Sequence, residues 1–568
     1  MRFETRDHHA AVGKHGMVAA AHPLAVLAGI DALRRGGNAM DACIVMAGVT
    51  SVVLPHMCGL GGDAFFVYYD ASSGKVWALN GSGAPGDLST PEYFIQKDSE
   101  MRKNRRDGIL QERHMPGRDA PVFILPQDGI LSVAVPGAPL VYERALKRFG
   151  TFTLKEAFEP AAELAEKGFP VTRSFSRAIS AEREKLEKYP PTREIFLPGG
   201  KTPVPGEMFV QSDLARTLRE FSQGGAEYFY KGPFADRFYA LNRELDGTFT
   251  GGEFARYLDE PEPFYTPIST TYRGYTIYET RPVSQGFIVL EELNILEEFD
   301  LPSQDPESSE VIHIMVEAKE RAFRDRNLYA GDPAFSGFDV RFFISKERSR
   351  QLADTIKSQG ACRDSGHPVG GYSEGDTTSF VAVDRYGNAC SFIHSNAFSF
   401  GSGLVVPGTG VILNNRAGRS FVLEKGHPNC VAPGKRPMHT LNCYMVFKGE
   451  NLFVAGGTPG GDGQPQWNMQ MLSLMLDFGA GPQDACDFPR WLSFPGTDVI
   501  NIDRPPELRM ESRFGQDTID GLRKRGHTVK TVGPWAGGGG AQIIMVDPDS
   551  GLLLGGSDRR VEGLALGF

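Results

Sequence analysis

The amino-acid sequence predicts an α+β protein built from two stacked sheets with helices on the outside. Three observations lead there. Short strands bounded by turns follow residue 377 in succession. Helical apolar periodicity dominates from Leu140 to about residue 245. The 67 Gly and 38 Pro imply many tight turns rather than long bundles.

Residues 22–37 form a helical pattern with Leu24, Leu27, Ala28, Ile30 and Leu33 apolar, Pro23 in the first turn and Gly36-Gly37 as the stop. Residues 38–53 read as a second, more apolar helix capped by Asn38. The spacing Gly59-x-Gly61-x-x-Ala64 superficially fits a dinucleotide fingerprint. The next residues, 65–70, read as a strand, so no helix N-terminus follows to meet a phosphate, and the glycines are taken as a turn into a core strand. Residues 76–79 continue a meander. Residues 96–118 are a charged run without periodicity, expected as a solvated insertion. A Pro-Gly turn lies at 133–137. Further on, 272–278 reads as one strand, and 289–298 and 311–325 as amphipathic helices.

After a loose Gly/Ser-rich run at 366–375, Phe380 and Ala382 alternate with Val381 and Val383, the period of a half-buried strand. Turn residues at 384–388 and a returning strand at 390–395 complete a hairpin. Further hairpins pair 404–406 with 411–413, 444–447 with 452–455, and 542–546 with 552–554. Helices near 465–478 and 515–525 interrupt them, and no internal repeat is found.

Composition bounds the function. With 568 residues, 41% hydrophobic and 23% charged, the chain can bury a large core and reads as soluble and globular. A net charge of −10 argues against a nucleic-acid or anionic-membrane partner. No stretch is apolar enough to span a membrane. No apolar segment precedes Gly16, so no secretory signal is expected. The seven cysteines are scattered, with no Cys-x-x-Cys pair, which predicts reduced thiols and a cytoplasmic protein. No metal-ligand spacing emerges from the twelve histidines, and neither a Walker A motif nor a Gly-x-Ser-x-Gly elbow is present. No metal and no cofactor are expected.

The Thr377-Thr378 pair at the hairpin mouth has two readings. One is a capped strand edge. The other is that the chain is cut before Thr377, whose hydroxyl would attack while its own amine acts as base; an α-amino group titrates near roughly 8, close to working pH. The second reading is favoured by a wider match. Asp376-Thr377-Thr378, Gly387-Asn388, Phe400-Gly401-Ser402-Gly403, Gly410 through Asn414-Asn415, Arg436-Pro437 and Thr458-Pro459-Gly460-Gly461 resemble the small-subunit half of the γ-glutamyltransferase family. Gly36-Gly37-Asn38-Ala39-x-Asp41-Ala42, Gly59-x-Gly61-Gly62, and Glu317-Ala318 with Arg324-Asp325-Arg326 extend the resemblance over nearly the whole chain.

The resemblance implies the αββα sandwich of N-terminal-nucleophile hydrolases. It implies self-cleavage between Asp376 and Thr377 into a large subunit, 1–376, and a small subunit, 377–568, that remain one intertwined unit. A dimer of such heterodimers is left open. Thr377 becomes the nucleophile. Ser395 falls where the family has a Thr bonded to the nucleophile, without the methyl group that restrains χ1. Gly460 and Gly461 supply the oxyanion hole. Asp462, with Gly463-Gln464-Pro465-Gln466 behind it, resembles the cephalosporin-acylase-like and oxamate-amidohydrolase-like branches and joins the expected substrate-binding set.

The departures concern the glutamate grip. Gly81 aligns with a carboxylate-binding Arg, His439-Thr440 with a Ser-Ser pair, Ala397 with an Asn, and Arg416 and Arg419 with the Gln and Asp that hold the α-amino end. A cation-rich pocket is expected in place of the zwitterion grip, with Arg416 suited to bind an acyl carboxylate bidentately. The expected activity is therefore amidohydrolase or acyltransferase chemistry on a small carboxylate-bearing amide. A true γ-glutamyltransferase and an uncleaved, non-catalytic binding protein of the same fold are the alternatives.

Overall fold

The alternation in Thr377–Asp384 sends Phe380 and Ala382 to one face and Val381 and Val383 to the other, but all eight residues are buried. The strand is not half-buried as the alternation predicts. One face meets helices, and the other meets a second sheet instead of water. The protein is described by a computed structural model covering residues 9–104, 107–114, 121–261, 264–359, 377–496 and 504–568.

The strand lies inside a six-stranded sheet in the order Leu564–Gly567, Gly16–Ala20, Thr377–Asp384, Ala389–Ser395, Asp63–Asp70, Lys75–Gly81. Every pairing is antiparallel. A seven-stranded antiparallel sheet has the order Ala11–Gly13, Leu553–Ser557, Gln542–Val546, Asn451–Gly457, Tyr444–Lys448, Tyr275–Glu279, Ile268–Tyr272. Met17, Phe65, Val381 and Ile393 of the first sheet pack on Met445, Ala455 and Ile544 of the second. Both sheets combine strands from either side of residue 377.

Helices cover the outer faces. Pro23–Arg34 and Ala39–Val53 lie over the six-stranded sheet. The second of these begins in a capping box: Asn38 Oδ1 accepts from Met40 and Asp41 N–H, and Asp41 Oδ2 accepts from Asn38 N–H at 2.8 Å. Gly286–Leu296, Ser309–Tyr329 and Gly463–Leu476 lie over the other sheet. The layers are α, β, β, α, as the resemblance implies.

Four local expectations are corrected. Residues 272–278 are two strands, because Arg273 and Gly274 turn at φ 52° and 84° and pair Tyr275 with Tyr272. The charged run at 96–118 is partly helix: Thr90 caps Pro91–Lys103, and buried Asp98 accepts from Arg102 and from Leu110 N–H. Its residues 105–106 and 115–118 lie outside the described residues. The segments 404–406 and 411–413 make one bridge, Val405 with Ile412, instead of two full strands. Gly286–Leu296 is not amphipathic. It is buried on every side, carrying Glu291 and Glu292 into the interior.

Burial pushes the carboxyls of Glu279, Glu291 and Glu292 well above the usual range. The folded chain therefore holds protons that the unfolded chain has released. Their contribution is complete below the unfolded value of about 4.3 and declines as pH rises, by up to about 1.4 kcal/mol per pH unit for each proton held. Both oxygens of Glu292 lack a hydrogen-bond partner among the described residues. Glu292→Gln should flatten the fall of the urea midpoint with rising pH; an unchanged slope would contradict this.

Candidate active site

The hairpin register sets Thr377 opposite Ser395. The Thr377 hydroxyl donates to Ser395 Oγ at 3.0 Å, and both residues are fully buried. Ser395 Oγ also accepts from Ala397 N–H at 2.9 Å and faces an Arg416 nitrogen at 3.4 Å. Behind the pair, His394 lies between Thr50 Oγ1 (3.0 Å) and the Tyr142 hydroxyl (2.8 Å), and burial lowers its pKa to about 3. It is a neutral brace of the hairpin.

Gly460 and Gly461 follow the strand Asn451–Gly457 at φ 124° and 54°. A Cβ on Gly460 would sit 2.2 Å from the Trp467 ring, so only glycine fits there. With the Gln464 amide turned to suit its neighbours, its oxygen takes a long 3.3 Å bond from Gly461 N–H. Thr377 and Gly460 border one cavity of about 670 Å³.

The expected cation-rich pocket contains a carboxylate. Arg416 Nε donates to Asp63 Oδ2 at 3.1 Å, and His439 Nε2 meets the same oxygen at 2.9 Å, all three side chains being fully buried. His439 Nδ1 accepts from Leu441 N–H at 3.2 Å, so its proton sits on Nε2 and points at Asp63. Burial first, and Arg416 next, lower the His439 pKa to about 3, and the ring is neutral. Thr440 Oγ1 lies 3.5 Å from Arg416. The cluster is thus less positive than the sequence implies. Asp63 Oδ1 has no hydrogen-bond partner among the described residues. Arg419 donates to Ala397 O at 2.6 Å and stacks 4.2 Å over Phe398, holding the turn where Ala397 takes φ 84°.

Asp462 does not line the cavity. Its Oδ1 accepts from Arg326 at 2.6 Å. Arg326 also donates to Gln285 Oε1 (2.8 Å), and Gln285 Nε2 donates to Thr440 O (2.6 Å) and Gly461 O (2.9 Å). Asp462 is in this way part of a brace that fixes the two glycines. Asp376 lies outside the described residues.

Sequence reasoning missed a second brace. Arg490 pairs with Asp558 (2.6 Å), Asp558 with Arg560 (2.9 Å), Arg560 with Glu511 (2.7 Å), and Glu511 with Arg513. Arg490 also donates to Gly538 O (2.8 Å), Glu511 accepts from Gly537 N–H (2.9 Å), and Thr458 Oγ1 accepts from Gly540 N–H (3.1 Å). The glycine run 537–540 is thereby held against 458–460. That run and the Asp-Arg-Arg triplet at 558–560 were the available signals. The structure also gathers His313, Glu317 and His527, ligand types whose spacing gave no motif, but Glu317 pairs with Arg321 at 2.7 Å and the two imidazoles bond each other at 2.8 Å.

A threonine heading a central strand of an antiparallel αββα sandwich, its hydroxyl already bonded, defines the architecture of an N-terminal-nucleophile hydrolase. Comparisons narrow this. The family model described as Gamma-glutamyltranspeptidase matches residues 25–568. The chain is 36% identical over 561 residues to the glutathione hydrolase-like YwrD proenzyme of Bacillus subtilis, covering 98% of this chain and 99% of that one. It is 33% identical over 563 residues to the oxamate amidohydrolase proenzyme of Klebsiella pneumoniae, covering 99% and 100%. The crystal structure of cephalosporin acylase from Bacillus halodurans superposes with a TM-score of 0.84 at 32% identity, covering 100% of this chain and 98% of that one. The chain belongs to the γ-glutamyltranspeptidase family and is an enzyme of that family's hydrolase and acyltransferase type.

Proposed function

We propose that the chain cleaves itself between Asp376 and Thr377 and then acts as an N-terminal-threonine amidohydrolase or acyltransferase on small amides whose acyl group carries a carboxylate. The observation that carries this reading is the Thr377–Ser395 hydroxyl pair on the cavity that Gly460 also borders. In maturation, Thr377 Oγ1 attacks the Asp376 carbonyl, the acyl group moves from nitrogen to oxygen, and water hydrolyses the ester. That leaves a carboxylate on Asp376 and a free amine on Thr377, in pieces 1–376 and 377–568 that stay together.

In turnover the amine takes the hydroxyl proton as Oγ1 attacks the substrate carbonyl. The proton passes to the leaving nitrogen as the C–N bond breaks, and water or a second amine then takes the acyl group from the ester. The Gly460 and Gly461 N–H groups are the oxyanion donors. Arg416 and Arg419, with His439 and Thr440, form the acyl-carboxylate side. Oxamate amidohydrolase and acylase relatives support that substrate class. Asp63 favours a second reading, since its unpartnered oxygen suits an ammonium group and hence a γ-glutamyl amide. The six described cysteines are free thiols, which supports a reducing, cytoplasmic setting.

The two substrate classes separate in kcat/KM. Succinyl or oxamyl amides should turn over faster than γ-glutamyl anilide. Arg416→Ala should lower kcat/KM for the former by about 30-fold to several thousand-fold, the kinetic equivalent of roughly 2–5 kcal/mol for a desolvated charge pair. Arg416→Lys, which keeps the charge opposite Asp63, separates this loss from misfolding. Preference for γ-glutamyl anilide would select the second reading.

A further inference from the structure

The proposed chemistry leaves His313, Glu317 and His527 unused. His313 and Glu317 stand four residues apart on Ser309–Tyr329, so one face of that helix carries both. His527 comes from the turn after the helix Gln516–Lys524, next to Gly526 at φ 97°. It is 214 residues from His313, which no ligand spacing in the sequence could reveal. The three donor atoms lie within 4.8 Å of one another. His313 Nδ1 and His527 Nε2 face each other at 2.8 Å, with the ring planes at 63°. His313 and Glu317 are buried, and His527 is half-buried, which leaves a way in from solvent. Burial lowers the pKa of both imidazoles, that of His313 to about 4, so both are neutral at neutral pH.

The hydrogen bonds within this cluster do not bar an ion. Two nitrogens on a tetrahedral Zn²⁺, each bonded at about 2.0–2.1 Å, stand about 3.3 Å apart, so the rings need to part by only about 0.5 Å. His527 lies in a turn, where such a shift breaks no helix or strand pairing. The hydrogen between the rings moves to a far ring nitrogen, and both facing lone pairs then point at the ion. Glu317 Oε2 accepts from Arg321 at 2.7 Å, but a carboxylate has two oxygens with about four lone-pair positions and can serve a second cation. Arg321 also donates to Glu317 O (3.0 Å) and Thr355 Oγ1 (2.7 Å), so it stays bonded if the carboxylate turns. Among the neighbouring cations, Arg525 is paired with Glu310 and Lys319 with Glu320. Two imidazoles and one carboxylate suit a transition metal, whereas Mg²⁺ and Ca²⁺ take oxygen donors.

We propose that His313, Glu317 and His527 bind a divalent transition-metal ion, Zn²⁺ being the fitting one, with water in the fourth position. The role is structural. His313 lies about 20 Å along its helix from Arg326, which belongs to the brace of the two glycines. His313 and Glu317 precede residue 377 and His527 follows it, so the ion clamps the two pieces of the cleaved chain. The clamp rests on cleavage before Thr377; the binding does not.

Tag-free processed protein, stripped with a chelator, is titrated with Co²⁺ and then with Zn²⁺. Wild type should develop the visible ligand-field bands of tetrahedral Co²⁺ at one ion per chain, and Zn²⁺ should abolish them. His527→Ala and Glu317→Gln should each weaken binding by more than about 100-fold, since outer-shell changes alone cost about 10- to 100-fold. Zn²⁺ should slow separation of the two pieces in urea in wild type and not in His527→Ala. His527 is half-buried in a turn, so its truncation keeps the test valid if Glu317→Gln does not fold. No tetrahedral bands, or equal Co²⁺ affinity in wild type and His527→Ala, overturns the proposal. Separation unchanged by Zn²⁺ overturns the clamp. Bands as expected from a chain that stays in one piece support the site and reject cleavage before Thr377.

Discussion

Thr377→Ala should leave the chain as one piece of about 62 kDa and reduce turnover of every amide substrate to background. In the proposed mechanism the same oxygen is required twice, once against the Asp376 carbonyl and once against the substrate. Loss of a covalent nucleophile lowers kcat by roughly 10⁴-fold or more. Thr377→Ser keeps the oxygen and the bond to Ser395 but loses the methyl group that restrains χ1, so it should still cleave, more slowly. Denaturing electrophoresis and an amide assay on the three proteins check this. A cleaved, active Thr377→Ala would remove Thr377 from the mechanism.

The second large effect is expected at Asp558, remote in sequence from the nucleophile. Burial pushes its carboxyl up, but Arg490 and Arg560 outweigh burial and hold it below the usual carboxylate range. Asp558→Ala takes the carboxylate from the buried Arg490 guanidinium and one of two carboxylates from Arg560, which keeps Glu511; breaking such a buried pair costs about 3–5 kcal/mol. Because the same network pins the 537–540 loop beside Gly460, activity should fall along with the urea midpoint. A carboxyl depressed in the folded state stabilises fully above its unfolded value of about 3.9. The contribution is lost as pH falls through the folded value. Wild type should therefore lose this increment in acid, and Asp558→Asn should lack it throughout. A urea midpoint unchanged in Asp558→Ala would show that the network contributes little to stability.

The sequence makes the frame legible where local chemistry decides it. Period-2 alternation marks Thr377–Asp384, and Asn38 with Asp41 marks a helix start. What lies on the far side of an element is decided by distant chain. The second face of Thr377–Asp384 meets strands from 444–457 and 542–546, so a strand read as half-buried is fully buried. For the same reason Gly286–Leu296 is enclosed by a sheet and by the helices Ser309–Tyr329, Lys346–Gln359 and Gly463–Leu476 despite its acidic residues. At the site, Arg416 was legible from its motif, but its counter-charge Asp63 is 353 residues away, and no spacing rule links them. Asp462 was read toward substrate because its partner Arg326 comes from another helix. The motifs marked which residues gather around Thr377; the pairing of charges among them required the fold.

Every turnover step proposed for Thr377 requires the chain to begin anew at that residue. Automated N-terminal sequencing of the purified protein tests this directly. Two sequences are predicted, one from the start of the large piece and one reading Thr-Thr-Ser-Phe-Val from Thr377 through Val381. A single sequence from an intact chain, or a second sequence beginning at any other residue, would contradict it.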